Sequence, residues 1–318
     1  MGQVLVDQLS NSLENSFSVG ICAADHATNL AELIDLIKRE PYPEGFLLKS
    51  IIVVGSGLDH EASAAIRQLG VLDPELVIIE EPFRRGKAEA INRIVEEFKS
   101  RFLVLVNSDA QPEPGSIAKL LSIIAGDGDV GVVSASPVLQ PRSDLPGAIL
   151  QIMWRAHNEC LLTLSNENSM NHCCDELIVL RSEATRTLPS DTVNDGAFLA
   201  GAAYRDGYVI QHCDSAHVRI DVPVRLPDLL MQRRRILYGH FQIRRRMGTS
   251  PRTVESMLIV NPLLSLSIMV RTIAKSPGLI FALPVAIIAE AFSVAMAIGD
   301  TITDKAKHVP WARFGRMS

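Results

Sequence analysis

Between residues 18 and 133 this 318-residue chain alternates short apolar runs with stretches of helical spacing, and that alternation restricts its fold more than any other feature. The runs at 18–23, 51–54, 76–79, 102–106 and 130–133 read as strands. Between them, 29–39 carries Leu30, Leu33, Ile34 and Ile37 at helical spacing, and 86–98 carries Ala90, Ile91, Ile94 and Val95 on one face. The stretches 60–69 and 115–124 also read as helices. Strands apolar on both faces and separated by helices build a parallel sheet covered on both sides. From 145 to 218 the pattern loosens into a helix (145–163), a strand (177–180), a helix opening at Asn194-Asp195 and a strand (208–211). A long, strongly basic helix follows at 226–247.

Net charge −5 argues against a general nucleic-acid binder, and 5% aromatic residues leave little for stacking bases. The five cysteines, Cys22, Cys160, Cys173, Cys174 and Cys213, include no CxxC spacing. They suit reduced thiols in a cytosolic compartment, and neither His172-Cys173-Cys174 nor His212-Cys213 has structural-zinc spacing. Residues 1–16 form a polar lead-in, without the basic and apolar segments of a signal peptide. The mean hydropathy of +0.18 is high, and the excess sits after Val254. One apolar stretch, 254–270, is broken by Asn261-Pro262, and a second, 279–298, holds only Pro284 and Glu290 as interruptions. About twenty apolar residues cross a bilayer as a helix, a length the second stretch meets. Arg244-Arg245-Arg246, Arg252, Lys305, Lys307 and Arg313 flank the pair, as in a hairpin with both ends cytoplasmic. Arg271 and Lys275 in the turn oppose full crossing and keep a pair of interfacial helices open.

Four segments carry residue types that suit chemistry. The run 102–106 stops at Asn107-Ser108-Asp109, where a strand's carboxyl end meets ligand in open α/β sheets. A carboxylate there suits a cation, and a cation suits a diphosphate, although a polar turn before Pro112 and Pro114 would look the same. Arg84-Arg85-Gly86-Lys87 opens a helix, an arrangement fit for phosphate or simply an exposed basic turn. Asn194-Asp195 places an acid in a helix's first turn, which is also what an N-cap does. Gln232 and Arg235 share a helix face at i, i+3. The Gly-rich dinucleotide fingerprint is absent at Gly55-Ser56-Gly57, which argues against a nicotinamide enzyme.

In this order the segments resemble the inverting family-2 glycosyltransferases of GT-A fold. The resemblance runs from about 18 to 247, with counterparts at 21–25, 53–57, 86–92, the DxD-like 107–109, the ED-like 194–195 and the QxxRW-like 232–236. It implies an α/β, Rossmann-like nucleotide-sugar-binding fold over 17–247 with a mostly parallel sheet, followed by a C-terminal apolar helical hairpin in a membrane-associated region, 248–318. It implies Asp195 as the catalytic base. Ala23, Asp25, Gly55, Lys87, Asn107, Ser108 and Asp109 would hold the nucleotide-sugar, with Asp109 on a Mg2+ or Mn2+ ion. Asn194, Gln232, Arg233 and Arg235 would border acceptor or diphosphate. The expected activity is metal-dependent transfer of a hexose from a UDP- or GDP-sugar to a lipid-linked or polysaccharide acceptor, at the cytoplasmic face of the cell membrane and without nucleic acid. Asn107 replaces the first acid of DxD, Gly55 stands where an aspartate often holds uridine, and Ile236 replaces the tryptophan of QxxRW. These departures motivate a second expectation, a scaffold subunit that has lost catalysis. They also predict weak metal binding in the absence of nucleotide.

Overall fold

A computed structural model describes residues 15–24, 29–73, 75–140, 142–303 and His308. Asp25, the lead-in up to residue 14, and Lys305, Lys307 and Arg313 lie outside the described residues. The elements follow in chain order. They are β1 (Ser16–Ala24), α1 (Leu30–Arg39), β2 (Leu47–Ser56), α2 (His60–Leu72), β3 (Leu76–Glu81), α3 (Lys87–Glu97) and β4 (Phe102–Asn107). Next come β5 (Gln111–Pro112), α4 (Ser116–Gly126), β6 (Val130–Leu139), α5 (Leu145–Asn166), β7 (Leu177–Arg181), α6 (Asp195–Arg205) and β8 (Val209–Ile220). The chain continues through α7 (Leu226–Met247), α8 (Val254–Val260), α9 (Pro262–Lys275) and α10 (Leu283–Thr303), the last preceded by a 3-10 turn at Pro277–Ala282.

The strands make one eight-stranded sheet in the order β3-β2-β1-β4-β7-β6-β8-β5. β1, β2, β3 and β4 run parallel, as do β6 and β8, and only β7 and β5 pair antiparallel to their neighbours. The pleat sends alternate residues to opposite faces. Phe102, Val104 and Val106 meet Leu33, Ile37, Ile117 and Leu121 of α1 and α4 on one side. Leu103 and Leu105 meet Ala90, Ile91 and Ile94 of α3 and Leu161 of α5 on the other. This is the doubly covered sheet that the apolar runs predict. β8 exceeds its expected length, because its second half, Cys213–Ile220, is polar and masks the strand period. A register shift opposite Ala135 and Ser136 absorbs the extra residues.

The C-terminal region differs from a simple hairpin. Asn261 ends α8 and its side chain caps α9 at Leu264 N (3.2 Å), so the first apolar stretch is two short helices. Among the described residues one helical segment, Pro277–Thr303, is long and apolar enough to cross a membrane. Both parts fold back on the rest of the protein. Arg271 and Lys275 of α9 reach Glu159 of α5, at 3.2 and 2.5 Å. On α7, Arg233 meets Glu290 of α10 at 2.7 Å and Arg234 Nε meets Asp300 Oδ2 at 2.6 Å.

α7 also reaches the start of α6, and Gly239 permits the approach. A Cβ at 239 would lie 2.7 Å from Asn194 Cβ and 3.1 Å from its backbone nitrogen. Gly239→Ala is therefore expected to destabilise the fold by about 1–3 kcal/mol, the usual range for overpacking. Urea unfolding checks this, and an unchanged midpoint would contradict the close packing of these helices.

Candidate functional site

Parallel strands end where the β4 run meets Asn107-Ser108-Asp109. Ala110 N bonds Asn107 O (3.0 Å), which turns the chain, and the tripeptide lines a cavity of about 770 Å³ at this end of the sheet. β1 contributes Cys22, Ala23 and Ala24 to the wall, and β2 contributes Ser56, which donates to Glu81 (2.7 Å). Because β7 is antiparallel, its beginning lies at this end of the sheet. Asn107 N donates to Glu176 O (3.1 Å), so Asp175 and Glu176 enter the cavity beside the DxD-like segment.

Lys87 is the first residue of α3, presented by Gly86 at φ 113°, ψ 160°. Side chains are essentially excluded from that backbone conformation. The Lys87 ammonium pairs with Asp175 and lies 2.7 Å from Asp195 Oδ2. Asp195 opens α6, whose N-terminus Asn194 caps by accepting from Ala197 N (3.0 Å). Gly196 lets the 175 loop approach, since a Cβ there would lie 2.6 Å from Asp175 Cβ. α7 pins the segment before Asp195: Val193 N donates to Gln242 Oε1 (3.0 Å), and Gln242 Nε2 donates to Asp191 O (2.8 Å).

The electrostatics follow from this crowding. Burial pushes the Asp195 carboxyl up to about 6, against the pull of Lys87 and with the push of Asp175. Burial works on Asp175 in the same sense, but Lys87 and a hydrogen bond from Asp195 bring it below the usual carboxylate range. The two acids thus divide their roles. Asp175 holds the charge, and Asp195 sits where it can gain or lose a proton near neutrality. Burial alone would lower Lys87, but the two carboxylates more than reverse this and keep it charged. Burial, then the neighbouring Asp175 and Asp109, raise Glu176 to about 8. Glu176 Oε2 is buried and has no hydrogen-bond partner among the described residues. Arg235 faces Asp195 and Asp175 electrostatically, is lowered to about 10 chiefly by burial, and donates from Nε to His308 O (3.1 Å).

Of the residues singled out from sequence, Ala23, Lys87, Asn107, Ser108, Asp109, Asn194, Asp195, Gln232, Arg233 and Arg235 all line this one cavity. Gly55 does not; its neighbour Ser56 does. Arg233 lies in the wall, but its guanidinium is engaged by Glu255 (3.0 Å) and Glu290 (2.7 Å), so it serves the C-terminal packing. Consecutive helix residues point about 100° apart, which separates Arg233 and Arg234 from the Gln232–Arg235 face. Asp175 and Glu176 are the acids that the sequence reading missed. The visible signal was their place immediately before the apolar strand 177–180, the ligand end only if that strand is antiparallel. The orphaned Glu176 oxygen beside Asp109 suits a hard divalent cation. Among the described residues no three His, Cys, Asp or Glu side chains gather as a complete set, so a cation here would need further ligands from outside the protein.

The comparisons with known proteins agree with this architecture. A mannosyltransferase, PcManGT from Pyrobaculum calidifontis, solved with GDP-Man and Mn2+, superposes with a TM-score of 0.62 at 20% identity over 96% of each chain. A mycobacterial protein superposes with a TM-score of 0.51 at 17% identity over 76% of this chain and 78% of its own. These similarities establish the fold. No curated protein sequence matches the chain. The family model for glycosyl transferase family 2 matches residues 18–188, more than half of the sequence, and the chain belongs to that family.

Proposed function

We propose that the protein transfers a hexosyl group, with inversion, from a nucleotide-sugar to an acceptor hydroxyl. The observation that carries this is the Lys87–Asp175–Asp195 cluster opening onto the same cavity as Asp109 and Arg235. Asp195 accepts the proton of the attacking hydroxyl as its oxygen bonds to the anomeric carbon and the bond to the nucleoside diphosphate breaks. Asp175 keeps Lys87 in place and keeps Asp195 basic enough to act. Arg235 binds the departing diphosphate through a guanidinium fork, while Lys87, paired with both acids, orients Asp195. A Mg2+ or Mn2+ ion held by Asp109, Glu176 and diphosphate oxygens would neutralise charge on the leaving group. Because PcManGT was solved with GDP-Man and Mn2+, GDP-mannose is the first donor to test.

The C-terminal helices supply membrane attachment. α10 turns its acids toward α7 and leaves Ile287, Ile288, Phe292 and Ile302 exposed, while Ile259 of α8 and Phe281 are 86% and 87% exposed. An apolar surface this extended fits a bilayer interface. Packing against α7 favours a segment lying along the membrane over one crossing it, and the basic last turn of α7, Arg244 to Arg246, supports the cytoplasmic face.

Three outcomes are expected. With a panel of GDP- and UDP-sugars and Mn2+, Asp195→Asn lowers nucleotide release by about 10²–10⁴-fold, the range for a general base, while calorimetry still registers nucleotide binding. Equal rates would exclude Asp195 as the base, and absence of binding with any metal would favour the scaffold role. A base works deprotonated, so kcat falls tenfold per pH unit below about 6 and is flat above. Asp175→Asn removes a negative neighbour that raises Asp195, so the inflection shifts to lower pH; a shift upward would contradict the assigned roles. In sealed vesicles, an impermeant maleimide labels Gly278→Cys and Thr303→Cys from the same side if the segment lies along the membrane, and from opposite sides if it crosses.

A further inference from the structure

The cavity that holds Asp195 is largely apolar where the C-terminal helices line it, but its wall also carries a row of imidazoles that the chemistry above does not use. His157 of α5, His172 of the segment before β7, and His240 of α7 stand in a row. Their rings contact edge to face, with centroids 5.3 Å apart from His157 to His172 and 5.1 Å from His172 to His240. Trp154 extends the row, edge to face with His157 at 5.6 Å. All four line the cavity that holds Asp195. His172 and His240 are only 4% and 9% exposed, yet His172 Nδ1 and His240 Nε2 have no hydrogen-bond partner among the described residues. Buried ring nitrogens are ordinarily satisfied, and the two rings that carry these orphans line the same cavity.

The chemistry of the wall narrows the ligand. Burial holds all three rings below the ordinary histidine range, His172 at about 4, so each is a neutral imidazole with one donor and one acceptor. A hydroxyl group matches that pair, whereas a phosphate offers acceptors only. The cation on this wall, Arg233, is bound on both sides by Glu255 and Glu290 and has no charge to spare for an anion. Trp154 adds an aromatic ring of the kind on which a sugar's C–H face packs. A transition metal is not favoured, because no three ligating side chains among the described residues are placed to share an ion.

We propose that Trp154, His157, His172 and His240 form an acceptor subsite for an uncharged, hydroxyl-rich sugar unit. This rests on the transferase function proposed above and specifies its acceptor: a glycan end enters the cavity, and the hydroxyl next to it is presented to Asp195. A bare lipid phosphate does not meet these groups.

Saturation-transfer NMR on the full-length protein in detergent tests the subsite, with methyl glycosides of mannose, glucose and N-acetylglucosamine and with farnesyl phosphate as probes. Each spectrum is taken with and without GDP and Mn2+. At least one glycoside is expected to receive saturation, and His172→Leu and His240→Leu to weaken its binding about tenfold or more, equivalent to about 1.4 kcal/mol. Because each substitution removes an orphaned nitrogen, the melting temperature is expected to hold or rise. His240→Gln, which retains a donor and an acceptor, keeps part of the signal and serves if a leucine variant fails to fold. Glycoside signals that persist in the leucine variants, saturation of farnesyl phosphate alone, or a histidine-dependent Zn2+ isotherm would overturn the proposal. A purely structural role would lower the melting temperature and leave glycoside binding unchanged. GDP binding is read separately, so loss of nucleotide binding with an intact glycoside signal would refute the transferase function and leave the subsite standing.

Discussion

The ammonium of Lys87 between Asp175 and Asp195 is the contact on which the site depends. It joins α3, the segment before β7 and α6. Buried ion pairs contribute little net stability, because desolvating the charges offsets their attraction, yet removing one partner costs about 3–5 kcal/mol. Two carboxylates held together without the lysine would repel, and both would tend to protonate. With it, the pair separates into a charged acid, Asp175, and a proton-exchanging acid, Asp195. The fold keeps a costly cluster that its apolar core does not need, in the place where a base and a phosphate ligand are useful together.

α7 connects this cluster to the C-terminal helices. Gln232, Arg235 and His240 face the cavity, while Arg233 and Arg234 hold α8 and α10 by ion pairs. Gly239, between them, brings the helix against the Asn194 cap. One rigid element therefore sets the distance from the Asp175–Asp195 pair to the apolar surface. Any shift of α10 acts on Arg233 and so on the wall beside His172 and His240.

The sequence made the first half of the sheet readable because parallel strands must be apolar on both faces, and 51–54 and 102–106 show it directly. Asn107 to Asp109, Lys87 and Asp195 were legible because a strand end or helix start has a recognisable edge. Asp175 and Glu176 were not, since whether an acid before a strand faces the ligand end depends on strand direction, which local pattern does not encode. β8 was cut short because its second half, Cys213–Ile220, is polar and hides the strand period. Arg233 shows the opposite case. It lines the cavity with Gln232 and Arg235, but its guanidinium is taken up by Glu255 and Glu290, from segments whose packing no local spacing reveals.

In the membrane attachment proposed above, the acids in the apolar C-terminal helix decide between two arrangements. A charged side chain at the centre of a bilayer costs at least about 2.5–3.5 kcal/mol even on the lenient insertion scales. Glu290 lies near the middle of α10 and Asp300 near its end, and in the fold each has an arginine of α7 as partner. Crossing the bilayer would separate α10 from a helix whose last turn carries Arg244, Arg245 and Arg246, and would leave Arg233 and Arg234 without their acids. Lying along the surface preserves both ion pairs and still gives lipid the exposed isoleucines and Phe292. The same partners hold α10 to the domain that carries the cavity, so in the proposed arrangement the cavity stays beside the membrane surface.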